Sequence, residues 1–69
     1  MIEAYERRSQ EVIELFLNRS IGFQECIAAL DAAFGALITK VTGKELLAVT
    51  AQAMTNNETV MKEMKRRGE

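Results

Sequence analysis

Gly22 and Thr42 each follow an aliphatic residue, stand three residues before a glutamate, and lie twenty residues apart. The segments Ile21-Gly22-Phe23-Gln24-Glu25-Cys26 and Val41-Thr42-Gly43-Lys44-Glu45-Leu46 therefore share one design. A cap residue, a glutamate at the third helical position reaching back to the cap amide, and an apolar pair bracketing both make a capping box with a hydrophobic staple. Thr42 supplies the hydroxyl half of such a box. Gly22 has no side chain to supply it, so the first signature is half a box. Gly43, a poor helix former at the first helical position, is a mild departure. No proline occurs anywhere in the chain to interrupt a helix once it has started. These starts and the apolar periodicity predict helices over about residues 2–18, 23–40 and 43–66.

The first helix is amphipathic. Ile2, Val12, Ile13 and Phe16 fall on the side of Tyr5, with Glu3, Arg7, Glu11 and Glu14 opposite. Glu3 with Arg7, and Arg7 with Glu11, are placed to pair along that outer face, each pair adding a few tenths of a kcal/mol. The second helix carries a broad stripe of Phe23, Cys26, Ile27, Leu30, Phe34, Leu37 and Ile38. The third is expected to bury Leu46, Leu47, Thr50, Ala53, Met54, Asn57, Val60, Met61 and Met64. The phase of that stripe holds through Asn56 and Asn57, which predicts one continuous helix. A second start built on Thr55 and Glu58 is the alternative.

Short joints set neighbouring helices antiparallel. The predicted fold is one all-α domain over residues 1–69: three antiparallel helices, up-down-up, the third longest, completed by oligomerisation. The need for completion comes from size. A chain of 69 residues buries only about 60% of its unfolded surface and often needs a staple. Cys26 is the only cysteine and there is no histidine, so neither a disulfide within the chain nor a four-ligand zinc site is available.

Two features point to where a second chain would pack. At 1.5 Å per residue the third helix is roughly 35 Å long and the others about 25 Å, so Val60, Met61 and Met64 are expected to overhang. The back of the second helix carries Ala28, Ala32 and Ala36 at four-residue spacing, with Ala29 and Ala33 on the flank. From Cys26 to Thr39 the only charge is Asp31. Alanine is also the best helix former and common on exposed helices, so the row has a bland reading beside the interface one. Asn57 is expected at the centre of the third stripe, where a polar residue can fix register between helices. The candidate interface is therefore Ala28, Ala32, Ala36, Asn57, Val60, Met61 and Met64.

The chemistry-bearing residues are sparse. Cys26 starts a helix but faces the apolar stripe without an imidazole, so an inert buried thiol is expected. Glu11 and Glu14 lie on an outer face with no further ligand, and no glycine-rich phosphate loop is present. No catalytic, metal or cofactor site is expected, and no enzyme. The net charge of −1 favours neither nucleic acid nor membrane. The longest uncharged run, Leu46 to Asn57, is far too short and polar to span a bilayer. An unpaired cysteine and no secretory pattern at the N-terminus suggest the cytoplasm. The expectation is thus a small interaction module that forms a homo-oligomer, a dimer first, and that has room for another protein partner. The alternative is a small DNA-binding regulator, antitoxin-like, that uses the basic Lys62, Lys65, Arg66 and Arg67. Those cations also complement the dipole of a helix end, and nucleic acid ranks second for that reason.

Overall fold

The computed structural model describes residues 2–68 as three helices, α1 (Ile2–Leu17), α2 (Phe23–Ile38) and α3 (Gly43–Arg67). No strand occurs among the described residues. The first two helices stop a little short of the ends expected at 18 and 40. The third is unbroken through Asn56 and Asn57, as the continuous phase predicts.

Both predicted starts are where the sequence sets them, with Gly22 and Thr42 as extended cap residues. Neither cap makes a side-chain hydrogen bond, which corrects the box expected at Thr42. Gly43, the first helical residue, takes φ +58, a left-handed conformation in which glycine avoids the Cβ clash and which departs from the regular first turn that a capping box requires. The staples do form. Ile21 packs on the cluster containing Cys26, and Leu46 on the one containing Val41.

Helix α1 ends in a left-handed residue, Arg19, at φ 68. The Ser20 amide donates to the Leu15 carbonyl at 2.8 Å and the Arg19 amide to the Phe16 carbonyl at 3.1 Å. That pair of bonds closes the last turn of a helix and is usually built around glycine. At the end of α3 the same conformation falls to Gly68, at φ 82.

The core consists of two apolar clusters. Val12 and Phe16 from the end of α1 meet Cys26 and Leu30 from the start of α2 and Val60 from the second half of α3. Tyr5 from the start of α1 meets Leu37 from the end of α2, Val41 in the second joint, and Val49 from the first half of α3. Between these clusters along α1 and α3 stand two buried polar residues, Ser9 and Asn56. Asn56 accepts from Gln52 Nε2 at 2.9 Å and donates to the Tyr5 hydroxyl at 3.5 Å. Ser9 Oγ is buried with no hydrogen-bond partner among the described residues.

The α1 and α2 stripes match their predicted faces, with Ser9 added to the first. The predicted charge pairs of α1 do not form, and Arg8 pairs with Glu11 instead, at 3.6 Å. The α3 stripe is turned by about one residue. Val49, Asn56, Val60 and Glu63 are buried, whereas Leu47, Thr50, Met54, Asn57 and Met61 are exposed. The turn places two polar residues inside. Asn56 is satisfied by Tyr5 and Gln52, and Glu63 by two arginines. Buried polar groups are tolerated when they are bonded in this way.

Candidate interaction surface

Rotation of α3 carries a row of large apolar side chains outward. Leu47 is 72% exposed, Met54 61% and Met61 54%. They are spaced by seven residues, two helical turns less about 20°, and therefore share one face. Asn57 lies on the flank of this row towards α2, where it lines a groove of about 150 Å³ with Asp31, Phe34 and Ala53. The row is thus the outer continuation of the α2–α3 surface.

The predicted interface residues divide. Ala28, Ala32 and Ala36 are exposed, as are Met61 and Asn57, although Asn57 is beside the core stripe and not at its centre. Met64 is half-buried against the first cluster. Val60 is fully buried inside that cluster, so it is core and not surface. The overhang is also smaller than the helix lengths imply, because the first joint reaches it. Ile21, Phe23 and Met64 all pack against the cluster that holds Val60, and Arg67 binds the end of α1. Leu47 and Met54, assigned to the core from sequence, belong to the outer row. Their seven-residue spacing to Met61 groups the three on one face without fixing whether it turns inward or outward.

Half of the basic C-terminus is engaged. Glu63 is held by Arg66 through Nε and Nη2, at 2.7 and 2.6 Å, and by Arg67 Nε at 2.6 Å. Arg67 Nη2 also donates to the Phe16 carbonyl at 2.9 Å, and the guanidinium sits 4.5 Å over the Phe16 ring. A cation there complements the negative end of the α1 dipole. The Arg66 hydrogen bond, reinforced by Arg67 against the opposing effect of burial, holds the Glu63 carboxyl down at about 2. Two of the four C-terminal cations are therefore bound to this carboxylate, leaving Lys62 and Lys65 exposed.

Other chemistry is thin. Burial pushes the Cys26 thiol up, which disfavours the nucleophilic thiolate. A groove of about 460 Å³ between α1 and α3 is lined by Glu6, Gln10, Ile13, Glu14, Gln52 and Thr59 among others. Its two carboxylates, on Glu6 and Glu14, are exposed, and the Thr59 hydroxyl donates to the Thr55 carbonyl at 3.0 Å. No group of three or more metal-ligating side chains occurs among the described residues, and none of the helices is long and apolar enough to cross a membrane. No family model, curated protein or solved structure matches this chain.

Proposed function

We propose that this chain is a self-associating helical module that acts through protein contacts and catalyses no reaction of its own. One observation carries the reading: Leu47, Met54 and Met61 stand exposed in a row on the longest helix. Fully covering a side chain of this size is worth about 1.5–3 kcal/mol, and a second copy brings the same row twice. The exposed Ala28, Ala32 and Ala36 offer a second, flatter surface on α2. We take the bundle as antiparallel and up-down-up. The start of α2 shares a cluster with the end of α1 and the second half of α3, and its end shares one with the start of α1 and the first half of α3. We take the assembly as a homodimer, the commonest closed symmetry, and the compartment as the cytoplasm, where an unpaired thiol such as Cys26 stays reduced.

The test is the thermal midpoint as a function of protein concentration, because association ties stability to mass action. A midpoint that rises with concentration supports the reading, and one that stays constant contradicts it. Met61→Glu and Ala32→Glu tell the two faces apart. Loss of the dependence in Met61→Glu alone assigns the contact to α3, and loss in Ala32→Glu alone assigns it to α2.

A further inference from the structure

We infer that the occupant of the exposed α3 row is the α3 of a second copy, set antiparallel, with the two-fold axis passing between Thr50 and Ala51 so that Lys44 of each copy faces Glu58 of the other. This rests on the self-association proposed above and adds its geometry. Lys44, Ala51, Glu58 and Lys65 succeed one another at seven-residue steps along one edge of the Leu47–Met54–Met61 row. All four are exposed. Neither Lys44 nor Glu58 joins an ion pair among the described residues. The edge thus presents a cation near the start of α3, an anion two heptads on beyond the small Ala51, and a second cation, Lys65, one heptad further.

Three ways of laying two such helices together differ in what this edge meets. A parallel pair sets the two edges on opposite sides of the seam, so that Lys44 and Glu58 meet no opposite charge from the same edge of the partner. An antiparallel pair centred on Met54 sets Lys44 within one residue of level with the partner's Lys65 on both sides. An antiparallel pair centred between Thr50 and Ala51 sets Leu47 against the partner's Met54, and Lys44 within one residue of level with the partner's Glu58, twice over. Small residues at the axis allow the closest approach of the two backbones. Met61 then lies over the partner's second joint, from Lys40 to Thr42, where the aliphatic stem of a lysine can cover it. All three arrangements bring the apolar rows together, and the charges decide between them.

Charge exchange and cysteine crosslinking test this on the intact chain. Glu58→Lys and Lys44→Glu should each weaken the dimer about tenfold, since each change turns two attractive pairs into two repulsive ones. The double variant should return to within about threefold of the starting affinity. Oxidised Ala51→Cys should form a covalent dimer, because a disulfide needs Cα atoms within about 7 Å, while buried Cys26 stays out of the reaction. A dimer indifferent to both single charge changes overturns the register and leaves self-association standing. So does a dimer that crosslinks through Met54→Cys but not Ala51→Cys. A wild-type chain that stays monomeric at every concentration overturns the self-association beneath it.

Discussion

Arg67 donates a hydrogen bond to the carbonyl of Phe16 at 2.9 Å while its guanidinium rests 4.5 Å over the ring of the same residue. The contact joins the last turn of α3 to the last turn of α1, fifty-one positions earlier in the chain. It lets the long helix end without fraying away from a short hairpin.

Arg67→Ala should cost about 2 kcal/mol, the sum of a charge-assisted bond to a helix end and a partly desolvated cation–π contact. Arg67→Lys should recover little, because an ammonium cannot serve Glu63, the carbonyl and the ring at once. Urea unfolding of the three proteins checks this, and a fully stable lysine variant contradicts it.

The carboxyl of Glu63 titrates at about 2 in the folded chain, against about 4.3 when free. A carboxyl lowered on folding contributes stability that is complete above the unfolded value and lost as pH falls through the folded one. Wild type should therefore lose stability between about pH 5 and pH 2. Glu63→Gln should be the less stable protein at pH 7, with the gap closing over that window. Thermal midpoints of both proteins across the range would reveal it, and parallel curves would rule it out.

Ser9 has a buried hydroxyl with no hydrogen-bond partner among the described residues, inside a helix where alanine is the better helix former. Ser9→Ala should raise stability by about 0.5–1 kcal/mol. A loss of more than about 1 kcal/mol would mean that the hydroxyl is satisfied by a buried water.

Backbone conformation separates two glycines. Gly35 is in the body of α2 with open space around it, so Gly35→Ala should stabilise by about 0.5–1 kcal/mol. Gly43 has equally open space but φ +58, so Gly43→Ala should destabilise by about 1 kcal/mol or more. Arg19, a non-glycine residue at φ 68, predicts the reverse case, with Arg19→Gly gaining up to about 1 kcal/mol. Denaturation midpoints of the three variants rank them directly.

Much of this fold was legible in the sequence, because it depends on local chemistry. Cap residues, staples and the absence of proline set three helices with boundaries close to those observed. The stripe around Tyr5 and the stripe from Phe23 to Ile38 both face the core as their periodicity predicts. The orientation of α3 was not legible from apolar counting. Two adjacent leucines at its start allow either phase. The phase the fold adopts buries Asn56 and Glu63, which an apolar pattern rejects, and exposes Leu47 and Met54, which it selects. What reverses the choice is partners remote in sequence or outside the pattern: Tyr5 for Asn56, and Arg66 and Arg67 for Glu63. The same rotation changed the candidate surface. Asn57 moved from the centre of a stripe to its flank and the outward row became Leu47, Met54 and Met61, while Val60, expected to overhang, is covered from the first joint.

That row is the basis of the proposed self-association, and sedimentation equilibrium at micromolar concentration tests it most directly. Wild type should show about twice the 7.7 kDa mass of the single chain, while Met54→Glu, altered at an exposed position, should be folded and monomeric. A wild-type protein that sediments as a folded monomer throughout the range would contradict self-association through α3.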